Sequence, residues 1–243
     1  SYDKRFSFKA DQQTGFVTKS ILAVPLKLSE KVIGVVEAIN KKNSGKFSQD
    51  DMKLLMTFAS TGAMAIQKAK LYEDLNDLFM GTLRAIADAI EAKDPYTRGH
   101  SERIRRYSML IAERLGLDDQ QKRDLSLAAL LHDVGKIGVP EDVLVKKEEL
   151  TVEEWAAIRR HPSIGADMLS SIKQLKSALP GIRHHQERFD GQGYPSGLTG
   201  EDIPLFSRII AVVDTFDSMN TDRPYRKKIP EDNAIDELKK CSG

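Results

Sequence analysis

The hydrophobic positions follow two different patterns along the chain. Residues 20–26 and 33–40 are short aliphatic runs separated by a polar turn, and they predict a β-hairpin. Pro25 favours an edge position for the first strand, because proline cannot donate a hydrogen bond to a sheet. From Ser48 onwards the apolar residues recur at helical spacing. The expected fold class is α+β overall, with a partial α/β domain, a connecting helix and an all-α helical bundle.

The first helical pattern continues beyond the N-terminal domain. Apolar residues such as Leu75 and Leu78 alternate with charged ones, so residues 68–81 predict a connecting helix between domains at 1–67 and 82–243. An apolar seam of this kind either pairs with its copy in a dimer or packs on its own domain, and the pattern leaves both open. Our prediction is a homodimer through the connecting helix.

Composition narrows the classes of partner. The 37 basic and 36 acidic residues give a formal charge of +1, which provides no general attraction for a nucleic acid polymer or a membrane. The single cysteine, Cys241, suits a reducing compartment, and we predict a cytoplasmic location. No apolar run approaches the ~20 residues that cross a bilayer, so no membrane segment is expected in this chain. Because the sequence starts without methionine and ends abruptly, we expect a piece of a longer protein.

The candidate chemistry lies in the histidines, each of which falls near the end of a predicted helix. A single histidine is more often a surface or hydrogen-bonded core residue than a metal ligand. Here, however, Asp133 directly follows one histidine, and Asp214 interrupts an apolar helix where an unpaired carboxylate would be costly. Imidazoles and carboxylates together predict a metal-dependent hydrolase. The five histidines are His100, His132, His161, His184 and His185.

Three blocks of sequence carry a family resemblance. They are His132-Asp133-Val134-Gly135-Lys136, residues 184–195 and residues 214–226. Together they resemble the HD-GYP branch of the HD superfamily of metal-dependent phosphohydrolases, from about residue 82 to the end. The resemblance implies an all-α domain that hydrolyses cyclic di-GMP, with either the linear dinucleotide or GMP as the end product. We expect its C-terminal end to be truncated.

The resemblance implies a centre of two divalent metal ions. Iron or manganese suits mixed imidazole and carboxylate ligands, with zinc or nickel as alternatives. Two adjacent metals activate water for attack on a phosphodiester. A third metal is not expected, because the position of its carboxylate ligand is Tyr96 here. One metal would be bound by His100, His132, Asp133 and Asp214, and the other by Asp133, His161, His184 and His185.

The resemblance also implies contacts to the phosphates of the substrate. Lys136 lies four residues after His132, a spacing that shares one helix face, and Arg223 and Arg226 carry forked donors suited to phosphate. The alternatives are an ordinary surface lysine and a solvated basic run. The predicted catalytic residues are His132, Asp133 and Lys136.

Residues 190–195 contain two glycines and a proline, which predict a loop. The loop is either a structural turn or, as the resemblance implies, the rim of the site. In the second case Gly193, Tyr194 and Pro195 contact the substrate, and a protein partner docks on the loop.

One residue departs from the family pattern. Glutamate usually follows the paired histidines of the family, and the chain has Gln186 in that place. The lost charge would weaken metal binding or ligand basicity. Two alternative functions therefore stay open, a non-catalytic cyclic-dinucleotide receptor and a hydrolase of another cyclic dinucleotide.

The N-terminal region resembles the C-terminal part of a GAF domain, a small-molecule sensor module. The matching segments are residues 14–16, 20–26 and 32–35, and then Asn40-Lys41 followed by Phe47 and Asp51. In the family this lysine and aspartate are mainly a structural pair, and we predict that role here. The whole chain then reads as a partial α/β GAF sensor domain, a connecting helix and an HD-GYP bundle of a bacterial signalling protein.

Overall fold

The computed structural model describes residues 17–42, 45–93, 99–146, 148–221 and 227–240. The chain divides into two compact units, Ser1–Phe79 and Met80–Gly243. The first unit contains a two-stranded sheet, and the described part of the second is helical. The α+β fold class predicted from the hydrophobic pattern is confirmed. In the described residues, no helix combines the length and the apolar character that crossing a membrane requires.

The sheet of the first unit is the predicted hairpin. Strand β1 (Ile21–Leu28) pairs antiparallel with β2 (Lys31–Ile39), and Val24 faces Val36. Asn40 ends the hairpin with a positive φ of 58°, and its side-chain oxygen accepts a hydrogen bond of 2.6 Å from the Lys19 amide. This conformation suits asparagine, whose short polar side chain bonds to nearby backbone.

A single helix, α1 (Gln49–Glu91), follows the hairpin. Residues 68–81, predicted as a connecting helix, lie within it, and Gly81 is tolerated there because a Cβ at that position would meet no atom within 4 Å. Ala59 and Ala63 are buried, whereas every residue from Met64 to Leu78 is exposed.

The second unit is built from short helices around a buried apolar core. Capping boxes start two of its helices, at Asp118 with Gln121 and at Thr151 with Glu154. The helices are α2 (His100–Arg114), α3 (Asp119–Leu131), α4 (Glu141–Leu144), α5 (Val152–Arg159), α6 (His161–Leu169), α7 (Leu179–Arg183), α8 (Leu205–Asn220) and α9 (Glu231–Lys240), with 3-10 turns at Val134–Gly138, Lys173–Leu175 and Gly200–Asp202. The core includes Ile104, Leu125, Leu131, Leu175, Ile182 and Ile210, all fully buried.

A glycine contact joins the 3-10 turn after α3 to the start of α6. A Cβ added at Gly135 would lie 1.9 Å from the carbonyl oxygen of His161 and 2.5 Å from the amide nitrogen of Gly165. Only glycine permits this approach of two backbones. Gly135 thereby brings the segment that follows Asp133 against the helix that begins with His161.

Candidate metal centre

Four histidines and two aspartates from separate helices meet in the second unit. Two sets have ligand atoms within 4.8 Å of one another, namely His100, His132 and Asp214, and His132, Asp133 and His185. The Nε2 atom of His161 joins them, 3.2 Å from Nε2 of His185 and 3.3 Å from Oδ1 of Asp133. Six of the seven predicted metal ligands are thus brought together.

Three of these histidines are oriented in the same way by helix ends. The Nδ1 atoms of His132, His161 and His185 lie 2.8, 2.7 and 2.7 Å from the carbonyl oxygen three residues earlier. The last turn of a helix leaves carbonyls without intrahelical partners, and the imidazoles satisfy them. With Nδ1–H donating, the lone pair of each ring is on Nε2, which points to the shared centre.

His100, the first residue of α2, is oriented by a carboxylate instead. Its Nδ1 lies 2.8 Å from Oδ2 of Asp217, and its Nε2 lies 3.4 Å from Oδ1 of Asp214. Arg103, one turn later, donates to both oxygens of Asp217 at 2.6 and 3.0 Å. These bonds hold the pKa of Asp217 at about 2 although burial opposes ionisation. Asp217 is therefore a charged anchor behind His100.

Asp133 lies between the histidines and divides its two oxygens between them. Oδ2 is 3.5 Å from Nε2 of His132 and 4.0 Å from Nε2 of His100, whereas Oδ1 faces His161 and, at 3.9 Å, His185. Lys136 donates to Oδ2 at 2.6 Å. Burial opposes its charge, but Lys136 and the imidazoles hold the pKa of Asp133 well below the ordinary value.

The imidazoles respond to burial and to one another. Burial lowers the pKa of His132, and burial with the neighbouring His132 and His161 holds the pKa of His185 well below its usual value. At His100 the carboxylates of Asp217, Asp214 and Asp133 outweigh burial and raise the pKa. At His132 and His185 burial thus favours the unprotonated ring, the state that metal ligation requires.

The donor set fits a divalent metal ion. Nε2 of His132 is buried and has no hydrogen-bond partner among the described residues, a costly state for an isolated polar atom. Imidazole nitrogens and carboxylate oxygens are ligands that suit iron, manganese, zinc and nickel alike. A metal at this point would satisfy His132, so the residues present are compatible with the predicted cofactor.

The remaining predicted residues have different outcomes. His184 belongs to neither set of ligand atoms in the described residues, and its buried Nδ1 lies 3.6 Å from Oε1 of Glu187 without a hydrogen bond. Adjacent residues at a helix end project in different directions, so His185 turns to the centre and His184 does not. Arg223, Arg226 and Tyr96 lie outside the described residues.

A buried glutamate, Glu187, precedes the predicted loop at residues 190–195. Glu187 accepts hydrogen bonds from the Ser196 and Leu198 amides at 2.6 and 3.2 Å. A Cβ on Gly193 would lie 2.2 Å from the Arg188 amide nitrogen, so the loop folds back tightly. This arrangement positions the ring of Tyr194 edge-to-face with His161, with centroids 6.4 Å apart. Mainly because of burial and the charge of Asp133, the pKa of Tyr194 is raised to about 12.

Sequence reasoning missed two residues that support the site, Asp217 and Glu187. Asp217 follows Asp214 by three residues, a spacing that shares a helix face, and this signal could have identified it. Glu187 carried no such signal, because its partners are loop amides whose position depends on the fold.

Comparison with known proteins agrees with the two family resemblances. The HD domain family matches residues 84–243, and the GAF domain family matches residues 2–66. The first match covers more than half of the sequence. The chain therefore belongs to the HD domain family, with a GAF-type segment before the HD domain, as the motifs predict.

Curated relatives share much of the chain. It is 45% identical over 157 residues to the cyclic di-GMP phosphodiesterase response regulator RpfG of Xanthomonas campestris pv. campestris, covering 63% of this chain and 41% of the relative. It is 37% identical over 183 residues to the 3'3'-cGAMP-specific phosphodiesterase 3 of Vibrio cholerae, covering 75% and 40%. The chain thus spans about two fifths of these relatives.

One solved structure supports the fold. A cyclic GMP-AMP-specific phosphodiesterase of V. cholerae (V-cGAP3) superposes with a TM-score of 0.53 at 22% identity, covering 67% of this chain and 44% of the other. At this identity the likeness concerns the fold alone.

Proposed function

We propose that this chain is a metal-dependent phosphodiesterase that opens cyclic di-GMP to the linear dinucleotide and, after a second hydrolysis, gives GMP. The observation that carries the proposal is the group of histidine Nε2 atoms that converge around Asp133. Among them, the buried Nε2 of His132 has no hydrogen-bond partner in the described residues. The names of the relatives, all cyclic-dinucleotide phosphodiesterases, support the substrate class.

The proposed cofactor is a pair of divalent ions, iron or manganese in preference to zinc or nickel. Such ions would polarise a phosphate oxygen and activate water for attack on phosphorus. His100, His132 and Asp214 would hold one ion, His161 and His185 the other, and Asp133 would be shared. The division of the Asp133 oxygens between the two groups of histidines supports this sharing.

The chain's own residues would bind and orient the substrate. The Lys136 ammonium, fixed beside Asp133, offers positive charge to a phosphate at the centre. Tyr194 stays neutral at physiological pH and covers one side of His161, which limits access of bulk water. Arg223 and Arg226 are proposed as further phosphate contacts, as the family resemblance implies.

Turnover of cyclic di-GMP by anaerobically purified, metal-analysed protein tests the proposal. We expect linear dinucleotide to form in proportion to bound metal, and the His132→Ala variant to form none. Binding without product from fully loaded protein would instead favour a receptor.

A second candidate substrate has a specific observation behind it, since one relative is named for 3'3'-cGAMP. Parallel kcat/KM measurements on cyclic di-GMP and 3'3'-cGAMP would rank the two substrates. A higher kcat/KM for 3'3'-cGAMP would replace cyclic di-GMP in the proposal.

The position of His184 outside the ligand cluster suggests a different alignment of residues 184–195 with the family motif. If the buried Glu187 is the glutamate that follows the family's paired histidines, the pair falls on positions 185 and 186, and Gln186 stands second. We then expect His184→Ala to leave metal content unchanged and Gln186→His to raise it. Loss of metal in His184→Ala would instead support the original ligand set.

The connecting helix and the loop are proposed interaction surfaces. Met64, Leu71, Leu75 and Leu78 are more than 60% exposed on α1, and a second copy of the helix would cover such a seam. Sedimentation of wild type against Leu71→Glu tests the homodimer. Pro195, exposed on the loop, is the position for testing a protein partner.

A further inference from the structure

Arg159 lies at the rim of the centre, between two aromatic rings. Its guanidinium carbon is 5.8 Å from the centroid of Trp155 and 5.7 Å from that of Tyr194. Trp155 precedes Arg159 by one turn of α5, and Tyr194 comes from the loop. Two such cation–π contacts restrict a side chain that is otherwise highly mobile.

The position of Arg159 connects it with the centre. The Tyr194 ring that it stacks on is the one that meets His161 edge-to-face. Arg159 is therefore one aromatic ring away from a predicted metal ligand. The phenol of Tyr194 is within electrostatic reach of Asp133, Lys136 and Arg159.

The donors of Arg159 are not used by the described residues. The side chain is exposed, and the two aromatic contacts are its recorded interactions within the described residues. Stacking occupies the faces of a guanidinium and leaves its edge, with the forked N–H groups, available for an anion. An arginine held in this way is preorganised for a phosphate.

We propose that Arg159 binds the second, uncleaved phosphate of a cyclic dinucleotide while the first is at the metal centre. The inference rests on the proposed function and adds a specificity residue to it. A cyclic dinucleotide carries two phosphodiesters in one ring, so the uncleaved one lies outside the metal cluster. Arg159 supplies the fixed positive charge on that side, and Trp155 positions it.

The test compares substrates with and without a second phosphate. For Arg159→Ala we expect the KM for cyclic di-GMP to rise about 10- to 100-fold, the effect of losing a charged hydrogen bond. Both kcat and turnover of bis(p-nitrophenyl) phosphate, which has one phosphate, should stay close to wild type. Arg159→Lys should be intermediate, because lysine keeps the charge and loses the planar fork.

Arg160→Ala is the matched control, since it removes an adjacent exposed arginine from the same helix end. It should leave KM unchanged, and all variants should keep wild-type metal content. The proposal is overturned if Arg159→Ala leaves KM unchanged, impairs both substrates equally, loses metal, or matches Arg160→Ala.

Direct binding separates this inference from the proposed function. If wild type binds cyclic di-GMP without cleaving it, the function fails, and a weaker Kd in Arg159→Ala still supports the contact. An unchanged Kd would overturn the contact alone. If wild type neither binds nor cleaves cyclic di-GMP, both are overturned.

Discussion

Each compact unit contains a lysine–aspartate ion pair, and the two pairs differ in burial and in their neighbouring residues. Lys41 and Asp51 contact each other near the start of α1, as predicted, and each side chain keeps about 30% of its exposure. Lys136 and Asp133 form the same pair, but Asp133 is 13% exposed and its second oxygen faces imidazoles. The first pair joins two segments of backbone, whereas the second concentrates charge where a metal fits.

Among the substitutions considered, Asp133→Asn should have the largest effect on metal binding and activity. Asparagine keeps the shape but removes the negative charge that faces four histidines, so both proposed ions would lose a ligand. We expect metal content well below wild type and a loss of kcat exceeding the about 100-fold typical of outer contacts. Metal analysis and steady-state kinetics measure both. Wild-type metal content in a folded variant would contradict the shared ligand.

Gly135→Ala tests whether the close approach of two backbone segments at Gly135 is needed to assemble the candidate metal centre. The new Cβ would lie 1.9 Å from the His161 carbonyl oxygen, so the two segments must separate. We expect a loss of roughly 3 kcal/mol in unfolding free energy, at the upper end for overpacking, together with lower metal content. Denaturant unfolding measures the first. Gly81→Ala, which meets no atom within 4 Å, is the control and should have little effect.

Asp217→Asn should have a smaller, graded effect. It removes the charge that orients His100, and we expect metal affinity to fall about 10- to 100-fold. Because the pKa of Asp217 is about 2 rather than 3.8, its contribution to stability is complete above the higher value and disappears as the pH falls through the lower. The Tm difference between variant and wild type should therefore shrink from pH 4 to 2. A constant difference would contradict this assignment.

Lys41→Ala should have the smallest effect and completes the comparison. The pair is partly exposed to solvent, so we expect unchanged metal content, unchanged kcat and a Tm lower by no more than about 4 °C. Thermal unfolding and turnover assays measure these quantities. Turnover should be lower in Lys136→Ala than in Lys41→Ala. A loss of activity at Lys41 would contradict a purely structural pair.

Local sequence determined the elements and most of the candidate ligands. The aliphatic runs predicted β1 and β2, and the helical spacing of apolar residues from Ser48 onwards predicted the helical character of the rest of the chain. The histidines were recognisable because imidazoles at helix ends beside Asp133 are unusual. Helix length was less predictable, because the segment predicted at residues 68–81 is part of one unbroken helix, Gln49–Glu91. These features depend on residues within a few positions of one another.

The tertiary structure decided which groups face the centre. His184 and His185 are equivalent in the sequence, but the end of α7 turns His185 to the cluster of histidines and aspartates and His184 to Glu187. Asp217 and Arg159 have partners 117 and 35 positions away, His100 and Tyr194, and the role proposed for Arg159 depends on that contact. Side-chain direction depends on backbone geometry, and long-range contact depends on packing such as that at Gly135. Neither side-chain direction nor long-range contact can be derived from the spacing of residues in the sequence. The sequence therefore predicts the type of chemistry, whereas only the folded structure determines which residues meet.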